Sequence, residues 1–294
     1  MKKIIIVFLL LFITFISVGC KKDYYEFIDL SYGNHERQKL DLYIPHDLKD
    51  KEEVGLVLYI HGGAWVWGDK SSYTDEIKSR LKSGNIACAT MNYRYTSKDI
   101  SASDIMNDIF HALETIKAKA NEYDVNITKV LLTGHSAGAH LSLLYGYGFQ
   151  YFDPFYSPIL PVCVVALSGP TDITNREYYE MPDFGMNLHE LFSYLSGHTY
   201  NEETYEEALL DLLNVSPIKY TGSGIPTLIC HGVKDTVVPY TDAIRLDYLL
   251  TEDNIKHDFL SFPNSNHGLE SDPDMSKEMK RLFQEYIDEY LVKK

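Results

Sequence analysis

Four short segments hold the residues of this 294-residue chain whose types and spacing could do chemistry: HGGAW at 61–65, GHSAG at 134–138, HGVKDTVVP at 231–239 and SNHG at 265–268. In chain order they supply a glycine-rich loop that can offer backbone N–H groups to an anion, a serine between glycines, a carboxylate and an imidazole. A serine hydroxyl is a weak nucleophile until a base takes its proton, and the base needs a third group to fix its tautomer and orientation. Ser136, His267 and Asp235 are those residue types, and Ser, Asp, His is one of the few chain orders in which such a set recurs. Any one segment could arise by chance; four in that order, each after a strand-like run, predict a serine hydrolase.

Ser136 follows the run KVLLTG and precedes a helical stretch, so a sharp strand–turn–helix elbow would expose its hydroxyl. Gly134 and Gly138 lack the β-carbons that would collide in so tight a turn. Ala137 opens the helix, where its N–H and the helix dipole favour a developing oxyanion. Gly63 and Ala64, after the run VGLVLYI, are the other candidate oxyanion donors. His61 is expected to hold that loop rather than act as a base, and His135 to point away from the nucleophile. Asp172, in LSGPTDIT after another strand, competes with Asp235 for the role of acid. No HExxH and no paired Cys-x-x-Cys is present, so no metal and no cofactor is expected.

These loops need a scaffold that brings them to one edge. Apolar runs alternate with amphipathic stretches from about Tyr24 onward, which predicts an α/β fold, a mostly parallel sheet covered by helices. A first hairpin is read over Tyr24–Leu30 and Gln38–Ile44, and buried strands over 54–60, 86–93, 129–134, 162–169, 225–232 and 256–262. Helices fall near 73–83, 103–121, 137–148, 240–252 and 275–292. The interval 172–215 is too long for a strand-to-helix loop and is crowded with aromatic and acidic residues. It is read as a helical cap inserted after a strand's C-terminal end, where such sheets bind ligands; the alternative is a surface excursion that never meets substrate.

The chain opens with Lys2 and Lys3, then an apolar run Ile4–Val18 that is shorter than the about 20 residues a membrane span needs. Residues 1–19 are read as an export signal, and SVGC at 17–20 resembles the lipobox of bacterial lipoproteins, so Cys20 is the expected lipidation site and 20–294 the catalytic domain. Ser17 departs from the aliphatic residue usual at its position. A net charge of −15 argues against a nucleic-acid partner; any membrane attachment would come through the lipid anchor. Cys88, Cys163 and Cys230 sit in apolar runs and are expected to be buried thiols.

HGGAWVWGD, NYRY at 92–95, the helix with Asp104 and Asp108, GHSAGAH, the SP pair at 216–217, HGVKDTVVP and NHG together resemble the α/β-hydrolase esterases related to hormone-sensitive lipase, particularly the bacterial carboxylesterases with HGGxW and GHSAG. The resemblance runs from about Tyr24 to the end. It implies an α/β-hydrolase fold and a small-molecule ester substrate, cleaved through an acyl-enzyme with Ser136, Asp235 and His267 as triad and no cofactor. Ala64 departs from the third glycine of many lipase-like relatives, a change that keeps the backbone donor. Short acyl groups, acetyl through butyryl, are the expected substrates. Polysaccharide acetyl or feruloyl esters, a formamidase-type amide and a catalytically silent binding protein are the alternatives; a peptidase of this class would carry a β-propeller, for which the residues before HGGAW leave no room.

Overall fold

The apolar runs become the strands of one eight-stranded sheet, because a segment buried on both faces needs no polar alternation. The computed structural model describes residues 23–152, 157–181 and 185–293, so the expected export signal and Cys20 lie outside the described residues. β1 (Tyr24–Ser31) and β2 (Lys39–Pro45) pair as an antiparallel hairpin. β3 (Val54–Ile60), β4 (Ala87–Met91), β5 (Ile127–His135), β6 (Leu160–Leu167), β7 (Thr227–Gly232) and β8 (His257–Phe262) follow. Across the sheet the order is β1-β2-β4-β3-β5-β6-β7-β8. β2 is antiparallel to β4, and every pair from β4 to β8 is parallel. The C-terminal ends of β3, β5, β7 and β8 therefore share one edge, which is where the four chemical segments lie.

Helices α1 (Thr74–Arg80), α2 (Ala102–Asn121), α3 (Ala137–Phe152), α4 (Leu188–Ser196), α5 (Tyr205–Asn214), α6 (Tyr240–Glu252) and α7 (Pro273–Tyr286) cover the two faces. β3 shows how the period-two geometry of a strand sorts a uniformly apolar run. Val54, Leu56, Leu58 and Ile60 enter the core shared with α2, α3, α5 and α6. Val57 and Tyr59 enter the opposite core with Ile77 of α1 and Phe283 and Tyr286 of α7. Each aliphatic or aromatic side chain buried this way stabilises the fold by about 1.5–3 kcal/mol. The insertion between β6 and β7 carries a 3-10 turn, Arg176–Glu180, besides α4 and α5. Its buried Tyr178, Leu191, Phe192 and Leu195 join the first core rather than standing off in solvent.

Candidate active site

β5 runs straight into Ser136, whose φ of 57° is left-handed, and α3 begins at the next residue. A non-glycine residue in that region costs about 1–3 kcal/mol and persists only where its surroundings fix it. Here Ser136 N–H donates to Leu167 O at the end of β6 (2.8 Å), and Ser136 O accepts from His140 N–H (3.0 Å). A β-carbon on either Gly134 or Gly138 would strike the carbonyl oxygen of Ile60, the last residue of β3. The two glycines thus let the elbow sit directly against the neighbouring strand, a more specific need than a tight turn.

The HGGAW loop leaves β3 beside this elbow. Gly63, Ala64 and Trp65 have φ of 115°, 45° and 62°, and Gly63 O accepts from Val66 N–H (2.9 Å) and Trp67 N–H (3.0 Å), which folds the loop tightly. His61 holds it as expected. Its Nδ1–H donates to Gly62 O (2.7 Å), its Nε2 accepts from Arg37 Nη2 (3.2 Å), and its ring stacks on Tyr93 at 4.3 Å. Burial lowers its pKa to about 4 and keeps the ring neutral. Arg37 is a residue the sequence did not single out: it also donates to Tyr93 O (2.9 Å) and Gly68 O (3.2 Å) and lies 3.6 Å over the Tyr95 ring. The acids of α2 are structural, since Asp104 closes a capping box with Ser101 and buried Asp108 binds Arg94 and Gln38.

Trp65 is buried, and its Nε1–H donates to His140 Nδ1 (3.1 Å). His140 Nε2–H in turn donates to Val215 O (2.8 Å), at the end of α5. One neutral imidazole, its pKa lowered by burial to about 4, therefore ties the HGGAW loop and α3 to the insertion.

Asp235 and His267 come from the loops after β7 and β8. His267 Nδ1 lies 2.8 Å from Asp235 Oδ2. The other carboxylate oxygen accepts from Val237 N–H (2.8 Å) and Val238 N–H (3.0 Å), and buried His231 approaches Oδ2 at 3.2 Å. Burial alone would raise the Asp235 pKa, but the hydrogen bonds from His231 and His267 hold it well below the usual carboxylate range. Asn266 Oδ1 accepts from Thr236 N–H (3.0 Å) and His267 N–H (2.7 Å), which links the two loops. A β-carbon on Gly232 would come within 2.6 Å of Ser265 O, so glycine lets the histidine loop lie on the end of β7. Asp172 is engaged elsewhere, with Arg245 and with Thr174 N–H (3.0 Å).

One expectation needs correction. His135 does not turn away from the site: its Nε2–H donates to His267 O (2.7 Å), and its ring lies 4.6 Å from that of His267. At the last position of β5, beside the histidine loop, a long planar donor reaches across the sheet edge. His231 was missed as well, although it stands four residues before Asp235 in the same segment, because its use depends on which way the β7 side chain points.

Two cavities meet at Ser136. A cleft of about 540 Å³ is lined by Gly63, Ala64, Trp67, Tyr73, His135 and His267. A second, smaller space of about 10 Å³ is lined by Ala64, Ser136 and Ala137. Gly63 and Ala64 line the cleft with Ser136, and Ala64 and Ala137 line the smaller space with it. Tyr178 and Phe192 of the insertion line the smaller space, and Phe192 packs edge-on against Trp65 at 6.3 Å.

A parallel sheet with an antiparallel β2, a serine on a left-handed elbow and an Asp–His pair on the following loops define the chain as an α/β-hydrolase. It belongs to the BD-FAE family, an α/β-hydrolase esterase family whose model matches residues 40–250. It is 28% identical over 233 residues to the probable carboxylic ester hydrolase LipM of Mycobacterium tuberculosis, covering 76% of this chain and 51% of that one. The chain spans about half the length of the curated relatives it matches. Among solved structures it is similar to a truncated carbohydrate esterase from gut microbiota, with a TM-score of 0.71, 21% identity, and coverage of 90% of this chain and 97% of that one. It is also similar to esterase B of Lactobacillus rhamnosis, with a TM-score of 0.68, 20% identity, and coverage of 91% and 88%. At those identities the structural likeness concerns the fold.

Proposed function

We propose that this chain hydrolyses carboxylic esters of short acyl groups through an acyl-enzyme on Ser136. The observation that carries the reading is the 2.8 Å contact between His267 Nδ1 and Asp235 Oδ2 beside a serine at φ 57° in the same cleft. Asp235 holds the Nδ1–H tautomer, which leaves Nε2 of His267 to take the Ser136 proton as Oγ attacks the ester carbonyl. The oxyanion that forms is met by the N–H groups of Gly63, Ala64 and Ala137, and one such donor is typically worth about 100- to 1,000-fold in rate. As the tetrahedral intermediate collapses, His267 gives its proton to the leaving alkoxide and the alcohol departs. Water, deprotonated by the same imidazole, then releases the acid and restores Ser136. Relatives named as esterases and carboxylic ester hydrolases support this reaction class.

Ser136→Ala should reduce turnover of p-nitrophenyl acetate by several orders of magnitude, leaving at most the about 1,000- to 10,000-fold advantage over water that oxyanion donors and binding provide. A small organophosphate should label the wild type and not the variant. A folded Ser136→Ala protein with near-normal turnover would end the reading. A second reading, that the alcohol half is a sugar, is favoured by Trp67, which is 53% exposed where it lines the cleft and presents a flat ring to anything entering. The chain is further proposed to be tethered outside the cytoplasm by lipid on Cys20.

A further inference from the structure

The two cavities at Ser136 differ in which partner of the ester they can hold, and the proton path decides the assignment. His267 must hand its proton to the leaving oxygen, so the alcohol has to lie on the side of the nucleophile that His267 lines. That side is the 540 Å³ cleft. The acyl chain is left the other space that Ser136 lines, walled by Trp65, Pro170, Tyr178, Leu188, Phe192 and Val238. Its about 10 Å³ is the room of a single water-sized sphere.

These walls are not loose. Tyr178 Oη donates to Oδ2 of buried Asp242 (2.7 Å), which also accepts from Thr171 N–H (2.8 Å) and, through Oδ1, from Asn175 Nδ2 (2.8 Å). The Phe192 ring is 5.3 Å from that of Tyr178 and 6.3 Å from that of Trp65, both edge-on, and Trp65 is fixed by His140. A longer acyl chain would have to displace a buried, hydrogen-bonded aromatic cluster rather than swing a surface side chain aside.

We propose that Phe192 and Leu188, contributed by α4 of the insertion, set an acyl-size limit of about one methyl group, so that the enzyme removes acetyl from alcohols that are themselves large. This rests on Ser136 being the nucleophile. It assigns the insertion a role in acyl selection, whereas the cleft on the histidine side leaves the alcohol unrestricted.

The test is initial-rate kcat/KM on p-nitrophenyl acetate, butyrate and octanoate, with 4-methylumbelliferyl acetate as a bulkier alcohol of similar leaving ability. One methylene in an apolar pocket is worth about 10- to 200-fold. The wild type should therefore prefer acetate to butyrate by at least about 10-fold, while the two acetates differ by less than that. Phe192→Ala should reduce the acetate-to-butyrate ratio by about 10-fold or more. Leu188→Ala, at a half-buried position, does the same with less risk to folding, and Leu210→Ala, on the exposed face of α5, should leave the ratio alone. Butyrate cleaved as fast as acetate by the wild type, or an unchanged ratio in both folded pocket variants, overturns the assignment. Loss of organophosphate labelling at Ser136 would instead remove the esterase reading beneath it, so the two failures are distinguishable.

Discussion

At the scale of the residue, the site divides between groups that can be recognised by type and groups that matter through where a side chain points. Ser136, His267 and Asp235 stand in short segments with glycines around them, and their chain order was enough to single them out. Arg37 stands in no such context, and His140 and His231, though they lie in the serine and aspartate segments, are not marked out by them; each is ordinary until the sheet brings His61, Trp65 or Asp235 within reach. Both acids follow strands, and the sequence favours Asp235 because its segment lies immediately upstream of the histidine-bearing strand. The choice turns on a hydrogen bond, since Asp235 Oδ2 reaches His267 while Asp172 is held by Arg245 and Thr174. Asp235→Asn should therefore cost about 10,000-fold in kcat, the size seen when a triad acid loses its ability to hold the right tautomer. Asp172→Asn should cost far less activity and show mainly in thermal stability, through the lost Arg245 pair. Steady-state kinetics on both variants decide it, and the reverse ranking would mean that Asp172 is the working acid.

At the scale of the element, the strands were legible because each is a short apolar run bounded by turn residues, and their ends shift by only a few residues from the sequence reading. The order across the sheet was not legible, because nothing in the composition of β3 or β4 says that β4 lies between β2 and β3. The insertion was visible as a length and a composition. Its docking was not, because Tyr178 and Phe192 are buried by partners on α6 and the HGGAW loop that are distant in sequence. The elbow offers a direct test of how elements impose residue types. A methyl group at position 138 meets the fixed carbonyl of Ile60, so either the β3–β5 pairing or the start of α3 must move. Gly138→Ala should destabilise the protein by at least about 1–3 kcal/mol, the usual cost of overpacking, and reduce turnover even where the protein still folds. Gly222→Ala, with nothing within 4 Å of its β-carbon, should be close to neutral. Equal melting temperatures for the two variants would contradict the elbow argument.

At the scale of the molecule, buried rings and surface charge set the conditions under which the site exists. His61 and His140 are held neutral by burial, with pKa values lowered from 6.5 to about 4. Between those values the unfolded chain binds protons that the folded chain excludes, so stability rises with pH across this window and is lost as pH falls from about 6.5 to about 4. Each ring accounts for up to about 3 kcal/mol of that loss. Melting temperature should be nearly level above pH 7 and fall steeply toward pH 4.5, and a level profile throughout would show that these rings are not held neutral. The net charge of −15 bears on where the protein resides. An acidic surface is repelled by anionic headgroups, and among the described residues no helix is long and apolar enough to cross a membrane. We propose that attachment comes through acyl chains at Cys20; stable anchoring takes more than one chain, as a diacylated cysteine supplies. Cys20→Ser should move the protein from the membrane fraction into the soluble exported fraction or leave an unprocessed precursor, with esterase activity per folded molecule unchanged. Fractionation with mass spectrometry of the N-terminal peptide reads both outcomes. Unchanged fractionation, together with an N-terminal peptide whose mass carries no lipid in the wild type, would show that the tether is not a lipidated Cys20.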